Sequence, residues 1–312
     1  MKSFWLLGCC GALLVIGASL GRHYVASGPA AAESAIAQQV ADAESSHQAL
    51  LNELQQADVI YLGETHSDEA DHIAQLEIIT AMHQTCGDIA IGLEMFQRPF
   101  QPVLDRYIAG EITEAELVEQ SEYETRWGFD WELYAPIIRY AQSNQIPLIA
   151  LNTPREITKK VARQGLASLE GDDLQYIPPV DQIDTSDENY QAMVAQVFGH
   201  HGGHGNSGPS FENFFAAQVL WDETMAESIA DYVTAAPDTQ VIVMAGEGHI
   251  VFDFGIPSRV ERRLGEDLLA YSVLLNPTAT APELADFFWI SDNKPLHKRE
   301  LRHVPLFDFL IF

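Results

Sequence analysis

Short runs of β-branched and aliphatic residues recur along the chain, and segments with helical apolar spacing separate them. Val59-Ile60-Tyr61-Leu62, Ile89-Ala90-Ile91, Ile146-Pro147-Leu148-Ile149-Ala150-Leu151 and Val241-Ile242-Val243-Met244-Ala245 are too short for helices. They show no polar alternation either, so they read as strands buried on both faces. Leu268 to Leu275 supplies one more strand, and Phe287 to Ile290 and Leu306 to Phe312 are strand-like. Between them the spacing predicts helices over 69–85, 99–109, 131–144, 189–198 and 213–232. Start signals agree: Ser67-Asp68-Glu69 before the first, Thr113 with Glu116 as a capping box, Thr153 with Pro154 after the Ile146 run, and Pro257 near the end. Strands that alternate with helices in this way predict an α/β fold with a mostly parallel sheet flanked by helices.

Two helical segments interrupt the alternation. Residues 98–131 and 189–235 have no adjacent strand to pack on, so they are expected to join as a smaller, all-helical lid. The α/β domain then takes residues 50–97, 132–170 and 236–312. Before it, residues 1–27 carry Lys2, an uncharged apolar stretch from Phe4 to Gly21, and Arg22. That order fits a secretory signal, a lipoprotein signal with Cys9 as the acylated residue, or a membrane anchor. Each version places the remainder outside the cytoplasm, on the periplasmic or outer face of a membrane. Residues 28–49, rich in Ala, Ser, Gln and Glu, read as a flexible tether.

Composition narrows the choice of partner. With 312 residues at 47% hydrophobic the chain can bury a large core. A formal charge of -28, from 45 acids against 17 Lys and Arg, excludes nucleic acid as the main partner, because no excess of cations exists to displace phosphate counterions. The cysteines are Cys9, Cys10 and Cys86, two of them in the leading apolar stretch, so no disulfide framework is implied. No Rossmann or P-loop glycine pattern is present. Lys294, Lys298, Arg299 and Arg302 form a local basic patch near the end.

The candidate chemistry lies where the strands end. Gly63-Glu64-Thr65-His66, Gly92-Leu93-Glu94 and Gly246-Glu247-Gly248-His249 place acids and histidines after buried runs, and Asn152 and Arg155 follow the Ile146 run. In an open parallel sheet such ends border one crevice, where ligands bind. Glu64, His66, Glu94 and His249 are therefore candidate catalytic residues or ligands of a divalent metal such as zinc. Arg155 beside free helix amides suits a carboxylate or phosphate. A second cluster, His200, His201 and His204 among glycines, offers imidazole to a metal or haem iron.

Taken in order, Gly63-Glu64-Thr65-His66, Gly92-Leu93-Glu94-Met95-Phe96, Trp127 with Trp131, Ile149-Ala150-Leu151-Asn152, Asp222-Glu223-Thr224-Met225-Ala226 and Gly246-Glu247-Gly248-His249 resemble the ChaN-like haem-binding uptake family of bacterial lipoproteins. The likeness covers about residues 50–275. It implies an α/β domain with a helical domain above it, haem in the cleft between them, and in some relatives a homodimer that stacks two haems with tyrosine as iron ligand. Phe215 stands where many relatives carry tyrosine, which leaves Tyr190, His200, His201 and His204 as ligand candidates, with Arg155 for a propionate. More distantly, the strand-end residues resemble those of erythromycin-esterase-like and TraB/TIKI-like hydrolases.

Two readings follow. In the first, an exported, membrane-associated protein binds haem in haem or iron uptake or handling. In the alternative, a metal-dependent or His/Glu-based hydrolase works in the Glu64, His66, Glu94 and His249 cleft.

Overall fold

The computed structural model describes residues 45–200 and 210–291. A helix α1 over residues 45–54 precedes strand β1 (Val59–Glu64). There follow α2 (Glu69–Cys86), β2 (Ile89–Gln97), α3 (Gln101–Ile108), α4 (Glu114–Gln120), α5 (Tyr123–Arg126) and α6 (Trp131–Asn144). Strand β3 (Leu148–Asn152) leads to α7 (Arg155–Gln164), α8 (Glu188–His200) and α9 (Phe211–Ala235). Strand β4 (Gln240–Gly246), α10 (Ile256–Leu264), β5 (Ala270–Leu275) and β6 (Phe287–Trp289) complete the described elements.

The six strands form one sheet in the order β3-β2-β4-β1-β5-β6, and every pairing is parallel. Strands β1 to β4 are buried throughout, as uninterrupted apolar runs require when helices cover both faces of a sheet. Alternate residues serve the two faces. Ile60, Leu62, Ile91, Leu93, Ile242 and Met244 pack with α1 to α6, whereas Tyr61, Ala90, Leu151, Val241 and Val243 pack with α9 and α10. The chain therefore leaves β1 and β2 over one face and β3 and β4 over the other. Their carboxyl ends part at this point and border a crevice.

Local signals act as expected at several helix starts. The Asp68 side chain accepts a hydrogen bond from the Ala70 N–H to open α2, and Thr113 and Glu116 form a reciprocal capping box at α4. Thr153 does not cap α7: Pro154 holds the cap position without a side-chain bond, and Thr153 is fully buried.

The two helical segments bury their apolar faces in different clusters and meet through an ion pair, with Arg98 2.6 Å from Glu227. Leu104, Tyr107, Leu117 and Tyr123 of the 98–131 segment enter the core on the first face of the sheet. Tyr190, Val194, Phe214, Phe215 and Leu220 instead form a separate cluster with Ile157 and Val161 of α7, on the other side. The physical reason is the crossover: each segment packs against the face over which its strand delivers it. Glu223 of α9 adds a buried anchor, since the guanidiniums of Arg259, Arg262 and Arg263 lie at 3.3, 2.7 and 2.6 Å from its carboxylate.

Among the described residues no helix is long and apolar enough to cross a membrane. The leading stretch, the tether up to residue 44 and the basic patch at Lys294 to Arg302 lie outside the described residues.

Candidate functional site

At the crevice the strand ends bring together two carboxylate–histidine pairs. Glu64 is the last residue of β1, and its Oε1 lies 2.8 Å from Nδ1 of His66. The same carboxylate accepts from the Tyr134 hydroxyl at 2.7 Å and from the Gln75 amide. Burial alone would raise this carboxyl, but the hydrogen bond and charge of His66, the charge of His72 and the Tyr134 bond outweigh it and hold it down at about 2. His72, buried in the first turns of α2, bonds the carbonyl of His66 through Nε2 at 3.0 Å, so it positions the pair from behind.

The second pair is built from three elements. Glu94 lies in β2 just past Leu93, where the register against β3 becomes irregular, and its carbonyl is free to accept from the Asn152 amide at 2.9 Å. Its Oε2 accepts from the Gly246 N–H at 2.8 Å and its Oε1 faces Nε2 of His249 at 3.3 Å. On the opposite side of the ring, Nδ1 of His249 meets Oδ1 of Asp222 at 2.6 Å. Burial opposes a charged imidazole, yet the two carboxylates raise its pKa to about 10, so His249 is a cation between two anions at neutral pH. Burial likewise opposes the charged form of Glu94, and the His249 charge overrides it, which lowers its pKa.

His66 and Glu94 line a cavity of about 40 Å³ with Met95, Gln97, Arg126, Trp127, Phe129, Asn152, Arg155 and Trp221. Glu64 and His249 stand behind the lining as partners of His66 and Glu94. The mouth combines aromatic faces with two guanidiniums of unequal availability. Arg126 bonds Glu122 at 2.7 Å, Glu156 at 3.0 Å and Gln97 at 2.8 Å, whereas Arg155 donates to the Thr125 carbonyl at 2.6 Å.

The other candidates fall elsewhere. Tyr190 is fully buried, its hydroxyl donates to Asp222 Oδ2 at 2.6 Å, and its ring packs against Phe215 and under the guanidinium of Arg259. It does not line the cavity, and burial followed by the Asp222 charge holds its phenol proton far more firmly than usual. His201 and His204 lie outside the described residues, as does the side chain of His200.

Residues 50–260 match the family described as haem-binding uptake, Tiki superfamily, ChaN. The chain belongs to that family. Its fold is similar to the solved structure of ChaN of Campylobacter jejuni, described as showing cofacial heme binding, with a TM-score of 0.59 at 19% identity over 77% of this chain and 90% of that one. A weaker likeness, with a TM-score of 0.43 at 16% identity, relates 73% of this chain to 72% of an erythromycin esterase mutant in its open conformation. The chloroplastic protein RETICULATA-RELATED 5 of Arabidopsis thaliana is 25% identical over an alignment of 265 residues that covers 77% of this chain. It covers only 35% of that protein, so the ChaN-family chain spans about a third of the length of the curated relative it matches.

The zinc alternative finds no support in the arrangement of the donors. Among the described residues no group of three or more His, Cys, Asp or Glu is arranged to hold a metal ion. Each carboxylate is committed to an imidazole, and an imidazolium such as His249 has no lone pair to offer a cation. What the sequence missed is the company these residues keep. Asp222 stands out only as an acid beside Glu223 inside an apolar stretch from Phe214 to Met225, and such an acid pair within a buried helical face implies buried partners. Gln75, Tyr134 and Phe129 give no comparable signal.

Proposed function

We propose that this ChaN-family chain binds haem across the mouth of the cleft at the carboxyl ends of β1 to β4. The observation that carries the reading is the pairing of aromatic faces, Trp127, Phe129 and Trp221, with the Arg155 guanidinium around one opening. A porphyrin needs flat apolar contact for its plane and a cation for a propionate, and these residues supply both. The enclosed space, about 40 Å³, is an order of magnitude below what a porphyrin needs, so the ring is placed over the opening and not within it. Haem brings an iron that takes axial ligands and electrons, and the protein sets its position and surroundings.

We extend the proposal to iron ligation by His200, His201 or His204, whose imidazoles would suit haem iron. Tyr190 is left out of that set because its hydroxyl is engaged by Asp222. A homodimer, which the family resemblance implies, is part of the same proposal. The leading apolar stretch supports export and attachment to a membrane, with a role in haem or iron uptake or handling outside the cytoplasm.

The contact at Arg155 gives the test. Arg155→Ala should weaken haemin binding roughly tenfold to hundredfold, the value of one charge-assisted hydrogen bond. Haemin dimethyl ester, which lacks the propionate charges, should bind Arg155→Ala and the unmodified chain equally. Equal loss with both porphyrins would remove Arg155 from the site.

A further inference from the structure

Next to the cleft lies a larger space that the haem reading does not use. A groove of about 530 Å³ is formed by α4, α5 and the start of α6. Ala115, Val118 and the half-buried Trp131 give it an apolar surface, and Glu114, Glu119, Glu122 and Glu124 surround that surface with carboxylates. Among the described residues no Lys or Arg lines it. Two of the acids are matched from outside, Glu114 by Arg139 at 2.7 Å and Glu122 by Arg126 at 2.7 Å. Glu119 and Glu124 are exposed and have no ion pair among the described residues, so their charges stand open at the groove.

An apolar surface ringed by open anions suits a segment that carries cations beside apolar side chains. This acidic chain contains one. Of its 17 Lys and Arg, Lys294, Lys298, Arg299 and Arg302 stand together with Leu296 and Leu301 between them. The last described residue before them, Ser291, lies on the groove's side of the sheet. Its N–H donates to Asn276 Oδ1 at 2.8 Å, the Asn276 amide donates to Asp71 at 2.8 Å, and Asp71 accepts from the Thr65 N–H at 2.9 Å. The next residue, His66, meets the ring of Trp127 edge-on at 4.7 Å, and Trp127 directly follows α5, a wall of the groove. Lys298 and Arg302 come seven and eleven residues after Ser291. An extended chain gives them a reach of up to about 25 and 40 Å, so the groove is accessible to both.

We propose that the groove of α4, α5 and α6 is a docking surface for this chain's own basic segment, residues 294–302, with its cations at Glu119 and Glu124 and its leucines against Val118 and Trp131. Charge complementarity selects the segment and sets its register, and the apolar contact adds to its affinity. Groove and cleft share the α5 wall but no lining residue, so the docking stands apart from the haem reading.

The test is hydrogen exchange on the full chain without haemin, read by mass spectrometry against a synthetic peptide of residues 292–303. Amides of residues 294–302 should exchange roughly tenfold or more slowly in the chain than in the peptide. Glu119→Lys with Glu124→Lys, both at exposed positions, should return them to the peptide rate while the amides of β1 and β4 stay protected. Lys298→Glu with Arg299→Glu should do the same from the other side. All four changes together exchange the charges and should restore part of the protection. Peptide-like rates in the unmodified chain, or protection that survives both charge reversals, would overturn the inference. Protection that falls on tenfold dilution would overturn it too, because the segment would then be seated on another copy.

Discussion

Asp222→Ala should destabilise the protein by about 3–5 kcal/mol, the cost of leaving a buried ionic partner unpaired. Asp222 is fully buried on α9 and holds two groups at once: Nδ1 of His249 at 2.6 Å and the Tyr190 hydroxyl at 2.6 Å. Its loss strands a buried imidazolium on one side and a buried hydroxyl on the other. Asp222→Asn keeps the shape but not the charge, and its effect should depend on pH. The pKa of His249, raised from 6.5 to about 10, means that its stabilisation is full below 6.5 and is lost as pH rises through about 10. Removing one of the two carboxylates that raise this value shrinks the contribution, so the deficit of Asp222→Asn should be largest below 6.5 and close as pH approaches 10. Urea midpoints across pH 6 to 10 measure both effects. A deficit that is flat with pH would mean that His249 is not held as a cation.

Gly255→Ala should cost about 3 kcal/mol or more, at the upper end of overpacking substitutions. A Cβ at this position would sit 2.2 Å from the carbonyl oxygen of His249 and 2.8 Å from its carbonyl carbon. Both are backbone atoms, which cannot swing aside as a flexible side chain would. The turn that carries His249 is already tightly wound, with Phe252 and Asp253 at φ of 59° and 58°, a left-handed region that bulky residues rarely adopt. Relief of the clash must therefore displace the His249 backbone and disturb its approach to Glu94. Thermal unfolding read beside haemin affinity separates the consequences: stability and affinity should fall together. A variant as stable as the unmodified chain would show that the turn yields more easily than its close contacts imply.

These two residues also mark how far the sequence could be read. Uninterrupted apolar runs followed by an acid, an amide or a histidine identify buried strands with polar ends: Glu64, Asn152 and His249 stand at or just past such ends in the folded chain, whereas Glu94 lies three residues inside the end of β2. The partners that give these residues their character are distant along the chain, and periodicity carries no information about them. Tyr190 and Asp222 are 32 positions apart, so a phenol that looks available on a helix turns out to be enclosed. Gly255 looks like an ordinary turn glycine until the His249 carbonyl is found against it. The helices after β2 and after β3 have similar apolar faces, and only the crossovers place them on opposite sides of the sheet.

The central claim, that this ChaN-family chain binds haem at the mouth of its strand-end cleft, is tested most directly by titrating the full chain with haemin and recording the Soret region. The account predicts a shifted band that saturates at one haem per chain. The band should keep its position in Tyr190→Phe and move when His200, His201 and His204 are replaced together. A spectrum that remains that of free haemin, with no saturation at any ratio, would contradict it.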